Sequence, residues 1–211
     1  FSPRANLRFN PTQNINLRLS YSSGFRAPQA FDEDMHIENV GGTVAMIERA
    51  KDLKEEKSQS FSVSADMYHR FGAFQTNLLI EGFYTRLTDV FVLGKPYDRG
   101  DGILVKTRSN GPGAKVMGLT LEGKVAYLSI LQIQAGLTLQ RSRYDEPHKW
   151  HDDAPAEKKI FRTPDTYGYF TATCTPIKPL SIALSGTYTG RMLVQRMDIT
   201  AENAELGKMP E

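Results

Sequence analysis

Cysteine is almost absent from this chain: Cys174 is the only one in 211 residues. No internal disulfide can form, so a fold held by a disulfide framework is excluded, while a reducing compartment and an envelope location both remain open. Charge of one sign is lacking as well. Twenty-six Lys and Arg stand against 24 Asp and Glu, leaving +2, too weak a field to argue a nucleic-acid partner. No stretch approaches the roughly eighteen consecutive apolar residues of a spanning helix, and mean hydropathy is −0.41. That absence excludes a helical span but not transmembrane β-strands, which are only half apolar. The chain opens at Phe1-Ser2-Pro3 without an initiator Met, a basic segment or an apolar segment. A signal peptide is therefore expected to have been removed or to lie upstream, and the chain is expected to be a fragment.

What the sequence does have is alternation with a period of two. Ile15, Leu17, Leu19 and Tyr21 alternate with Asn14, Asn16, Arg18 and Ser20, the pattern of a strand with one apolar face. Phe61, Val63, Ala65 and Met67 repeat it against Ser60, Ser62, Ser64 and Asp66. So do Leu119, Leu121, Val125 and Tyr127 against Thr120, Glu122 and Lys124, and Leu131, Ile133, Ala135, Leu137 and Leu139 against Gln132, Gln134, Thr138 and Gln140. A last run sets Leu180, Ile182, Leu184 and Tyr188 against Ser181, Ser185 and Thr187. About eight strands are predicted, over 3–10, 14–21, 58–70, 73–88, 115–128, 130–140, 166–175 and 180–190.

Short turns join the strands in pairs, whereas segments 22–57, 89–114 and 141–165 are long and charge-rich. Strict alternation of short and long connections puts all short turns on one rim of an antiparallel up-and-down sheet and the elaborated loops on the other. Strands of about ten residues tilted by about 40° span roughly 25 Å, the apolar height of an outer-membrane barrel. Phe9, Tyr21, Phe74, Tyr84, Tyr127, Tyr167, Tyr169 and Tyr188 lie near strand ends, where interfacial aromatics belong. A soluble lipocalin-like barrel would show the same alternation. The segment 35–50 reads as a hairpin, its arms 35–40 and 43–49 joined by a turn at Gly41-Gly42 above the long-loop rim, although Met46, Ile47, Ala50 and Leu53 would also suit a short helix.

At Gly24-Phe25-Arg26-Ala27-Pro28 the sequence resembles the TonB-dependent outer-membrane receptors, whose barrels carry a similar strand ending. Further similar stretches follow in order: Ser2-Pro3-Arg4, Leu53-Lys54-Glu55-Glu56-Lys57-Ser58, Phe83-Tyr84-Thr85-Arg86, Asn110-Gly111-Pro112-Gly113-Ala114, Gly118-Leu119-Thr120-Leu121-Glu122 and Arg162-Thr163-Pro164. Glu55, where many relatives carry proline, and Thr120 depart from the pattern.

The resemblance implies a partial transmembrane β-barrel domain over residues 1–211, cut from a barrel of about twenty-two strands whose lumen holds a plug domain. It further implies a Gram-negative outer-membrane location, lipid, plug and TonB as partners, and uptake of a small iron chelate (ferric siderophore) or a corrinoid (cobalamin-type) ligand. A porin-like barrel passing solutes passively is the rival reading. An open sheet exposing two strand edges and a continuous apolar face is expected, detergent-dependent or self-associating in isolation.

No enzyme motif is present: there is no Gly-x-Ser-x-Gly, no His-Glu-x-x-His and no Walker loop, so neither catalysis nor a cofactor is expected. His148, His151, Asp152 and Asp153 have the residue types of a metal site, but in a Pro-flanked, charge-rich loop solvated polar residues are the expected reading. His36 stands beyond the Gly24–Pro28 motif, as a histidine does in related haem receptors, yet their companion motif is absent. Tyr97, Arg99, Trp150 and His151, with His36, are the candidate ligand-contact residues of the long loops.

Overall fold

A computed structural model of the protein describes residues 1–28, 45–94, 97–100, 104–149, 155–197 and 204–208, and all regular structure among them is β. In chain order the strands are β1 (Arg4–Thr12), β2 (Ile15–Arg26), β3 (Ala45–Arg49), β4 (Glu56–Phe71), β5 (Phe74–Thr88), β6 (Phe91–Leu93), β7 (Tyr97–Asp98) and β8 (Leu104–Asn110). They continue with β9 (Ala114–Tyr127), β10 (Leu131–His148), β11 (Glu157–Lys159), β12 (Thr166–Ile177), β13 (Leu180–Thr189), β14 (Leu193–Met197) and β15 (Ala204–Lys208).

Eight long strands form one sheet in the order β1-β2-β4-β5-β9-β10-β12-β13, with β11 attached to β10. Each neighbouring pair is antiparallel. The short turns behave as their lengths require. Thr12 pairs with Ile15, Phe71 with Phe74 and Ile177 with Leu180, so two residues suffice for each reversal, and all four turns end on one rim. The sheet does not close: among the described residues β1 pairs only with β2, and β13 only with β12.

Register decides which side chains share a face, because a one-residue slip would exchange the faces. Across the sheet, Leu7, Leu19, Val63, Gly82, Leu119 and Leu139 form one continuous row. Leu17, Ala65, Ile80, Leu121 and Leu137 form the next, followed towards the turns by Ile15 and Met67 and then Val125 and Ile133. On the opposite face Arg18 lies beside Ser64, Glu81, Thr120 and Thr138, and Glu122 beside Gly136. The predicted partition of apolar and polar sets is thus realised in a single layer. Its apolar side is open: Leu7 is 66% and Val63 60% exposed. A one-layer sheet with such a face has no core of its own and needs an apolar medium against it.

The long connections differ from expectation. Segment 89–114, read as loop, contains β6, β7 and β8, which join β3 in a small second sheet where β3 runs parallel to β8. Val105, fully buried, is its apolar centre. The second arm of the predicted 35–50 hairpin is therefore a strand, but its described partner is β8; the first arm and the Gly41-Gly42 turn lie outside the described residues. Segment 141–165 gives its first eight residues to β10 and three to β11.

Candidate functional site

Three surfaces carry chemistry: the outward apolar face, the inward polar face and the long-loop rim. The apolar face is bounded by aromatic contacts. Near the long-loop rim Tyr21 and Phe61 lie 4.8 Å apart, and at the short-turn rim Phe74 is 5.5 Å from Phe71 and 4.8 Å from Tyr127. From Phe61 to Phe71 along β4 is ten residues, which at strand rise and barrel tilt is ~25 Å. Two aromatic belts at that separation match the two interfaces of a bilayer.

The inward face is hydrogen-bonded across strands. Gln134 donates to the Tyr169 hydroxyl at 2.6 Å, Tyr169 donates to Glu122, and Lys124 lies 3.0 Å from Glu122. Tyr68 donates to Asp66, which Asn77 also contacts, and Thr120 meets Thr138 at 3.0 Å. Tyr167 and Tyr169, placed by sequence with the interfacial aromatics, belong to this inner face: they register against Thr138 and Gly136. The reason is steric. The Tyr169 ring lies where a Gly136 side chain would stand, 2.5 Å from an ideal Cβ, so the glycine admits the ring and the ring carries its hydroxyl to Glu122.

At the rim, the motif residues act as fasteners. Gly24, Phe25 and Arg26 end β2, and Ala27-Pro28 follow it. The Arg26 guanidinium stands 5.8 Å from the Phe91 ring centroid, a packing role joining β2 to the small sheet. Asn110 accepts from the Lys54 amide at 2.7 Å and donates to the carbonyls of Lys54 and Asp89 at 3.0 and 2.8 Å. Three otherwise unmet backbone groups are satisfied by this one amide.

Above it Arg86 binds Asp145 through two parallel bonds of 2.6 Å. A Cβ on Gly113 would lie 2.7 Å from an Asp145 oxygen and 2.7 Å from the Leu87 carbonyl. Gly113→Val is therefore expected to break the ion pair and to press on the rim end of the β5–β9 ladder. Limited proteolysis should show faster cleavage in the rim loops than in the wild type.

Asp145 stands four residues beyond Arg141, above the outer aromatic belt. The paired Arg86 holds its carboxyl below the usual carboxylate range, assisted by Lys115 and Lys158. With the folded value below the unfolded one, the pair stabilises the rim above the ordinary carboxylate range and loses that contribution as pH falls through the lowered value. Acidification should raise rim proteolysis in the wild type, and Asp145→Asn should show the raised level already at neutral pH.

Of the ligand-contact candidates, Tyr97 and Arg99 converge on Glu48, a residue the sequence did not single out: the Tyr97 hydroxyl is 3.4 Å and an Arg99 nitrogen 3.7 Å from its oxygens. His36, Trp150 and His151 lie outside the described residues, as do Asp152 and Asp153. His148 ends β10 with its ring 5.7 Å from Tyr144, and burial pushes its pKa down. Among the described residues no group of three or more His, Cys, Asp or Glu could hold a metal.

Residues 1–197 match the family model for the TonB dependent receptor-like β-barrel. The chain belongs to the TonB-dependent receptor family. Solved structures agree in fold. The FrpB iron transporter from Neisseria meningitidis (F3-3 variant) is 17% identical, with TM-score 0.60 over 91% of this chain and 27% of its own. The ferric-catecholate import receptor Fiu from E. coli K12 is 14% identical, with TM-score 0.58 over 90% and 24%. The siderophore receptor PirA from Pseudomonas aeruginosa is 17% identical, with TM-score 0.60 over 89% and 34%. This TonB-dependent receptor chain thus spans about a quarter to a third of their lengths. No curated protein sequence matches it. Its family consists of transport receptors rather than enzymes, and the open eight-stranded sheet is a sector of such a barrel.

Proposed function

We propose that this chain is the barrel sector of a Gram-negative outer-membrane receptor that takes up a small iron chelate with energy supplied through TonB. The observation that carries the reading is the two-faced sheet: a lipid-facing side bounded by aromatic belts and a hydrogen-bonding side suited to a wet lumen filled by a plug domain. The likeness to an iron transporter, a ferric-catecholate import receptor and a siderophore receptor supports the cargo class. A corrinoid cargo has no such support among them. At the long-loop rim, the Tyr97–Glu48–Arg99 cluster offers an aromatic ring and a guanidinium, groups suited to an anionic, aromatic-rich chelate.

The test is uptake of a radiolabelled ferric catecholate by cells expressing the intact receptor, with and without TonB. Uptake that requires TonB and falls about tenfold in a Tyr97→Ala/Arg99→Ala variant is expected. Uptake that persists without TonB would favour the passive, porin-like barrel.

A further inference from the structure

In the small rim sheet, β3 and β7 lie on opposite sides of β8: Glu48 pairs with Thr107, and Tyr97 with Val105. Paired residues share a face, and so do residues two apart along a strand. Glu48, Val105 and Tyr97 therefore stand on one face of this sheet, whereas Arg49, Asp98, Lys106 and Arg108 belong to the other. Among the described strands of the sheet, Glu48 is the one carboxylate on the Tyr97 face. Asp98 is engaged elsewhere, accepting from the Gly100 amide at 2.7 Å.

That carboxylate reaches both of the groups read above as contacts for cargo. One oxygen accepts from the Tyr97 hydroxyl at 3.4 Å, and the other lies 3.7 Å from an Arg99 nitrogen. Both distances are long for such contacts, and the Glu48 and Arg99 side chains are 44% and 42% exposed. A solvated pair of this kind contributes little to stability, so little is lost when another anion takes its place. An anionic chelate approaching Tyr97 and Arg99 meets a negative charge that already stands between them, and like charges side by side oppose binding.

We propose that Glu48 is a built-in counter-anion: before cargo arrives it holds the place of the cargo's anionic oxygens, and cargo binds by displacing it from Tyr97 and Arg99. The same geometry names the cargo group. Glu48 presents one oxygen to each donor, so its replacement must carry two adjacent anionic oxygens, as a catecholate edge or a carboxylate does. The inference rests on the cargo reading above and adds selectivity to it. Glu48 sets how much negative charge a chelate must carry before it outcompetes the carboxylate.

Equilibrium dialysis of the intact receptor in detergent against two radio-iron chelates tests it. One is a hexadentate ferric tris-catecholate, which is triply negative, and the other a hexadentate ferric tris-hydroxamate, which is neutral. Glu48→Gln is expected to raise affinity for the catecholate relative to the hydroxamate about fivefold at low salt, and Glu48→Lys to raise it further. The gain should shrink as salt is added, because exposed charges are screened. Glu48 lies outside the barrel wall, so both variants should fold, which heat-modifiable mobility checks. Equal changes for the two chelates would give Glu48 a structural role alone and overturn the proposal. A catecholate preference unchanged or lowered in both variants would overturn it too, and the cargo reading then stands if Tyr97→Ala/Arg99→Ala still weakens binding. A wild-type receptor that retains neither chelate overturns both.

Discussion

Leu121→Arg should destabilise the assembled barrel by about 2–4 kcal/mol, the cost of an arginine near the bilayer midplane on a lipid-facing strand position. Leu121 registers with Ile80 and Leu137, midway between the Phe61 and Phe71 levels of β4, so its guanidinium cannot reach either interface without distorting the strand. Gln134→Arg, on the adjacent strand but on the opposite face, should cost far less because that face is wet. Urea unfolding of the intact receptor in lipid vesicles measures both. Equal losses for the two variants would contradict the assignment of faces.

Gly118→Val is expected to have the second largest effect. An ideal Cβ at Gly118 lies 2.5 Å from the Phe83 ring and 2.6 Å from the Leu139 carbonyl oxygen. The ring could rotate away, but the carbonyl belongs to the β9–β10 ladder and has nowhere to go. Overpacking of this kind costs about 1–3 kcal/mol, and here it falls on the β9–β10 ladder. The folded, heat-modifiable fraction recovered from membranes should drop sharply. Phe83→Ala in the same chain should recover only part of it, because the backbone obstacle remains. Full recovery would show that the ring alone excluded the side chain.

The long strands were legible because each has one apolar and one polar face. Ile15, Leu17 and Leu19 alternate with Asn16 and Arg18 so that one set falls on the apolar face of the sheet and the other on its polar face, and that contrast is written residue by residue. Where polar and charged residues stand on both faces the signal vanishes. Segment 141–148 carries Arg141, Arg143 and Asp145 on one face with Ser142 and Tyr144 between them, so local alternation does not announce this extension of β10. The small sheet at the rim was invisible for another reason. It pairs 45–49 with 104–108 in parallel, a contact between distant segments that no local pattern announces.

The same holds for side-chain pairs. Gly113 and Asn110 could be picked out as motif residues, but not that Gly113 makes room for a bond between Arg86 and Asp145, 59 residues apart. The place of Tyr169 near a strand end points to an interface, whereas its register against Gly136 puts it on the inner face, where the glycine leaves room for the ring. Glu48 gave no signal of its own until the fold brought Tyr97 and Arg99 to it.

The central claim is that one face of this sheet lies against lipid and the other lines a plug-filled lumen. Single spin labels placed in turn at residues 131–140 of β10, in the intact receptor reconstituted into lipid bilayers, test it most directly. Collision rates with oxygen, which concentrates in lipid, should peak at positions 131, 133, 135, 137 and 139 and fall at the five between them. Immobilised labels with low access to both oxygen and water-soluble relaxants are expected at 132, 134 and 138, where the plug should cover them. A uniform profile, or oxygen maxima at the even positions, would contradict the account.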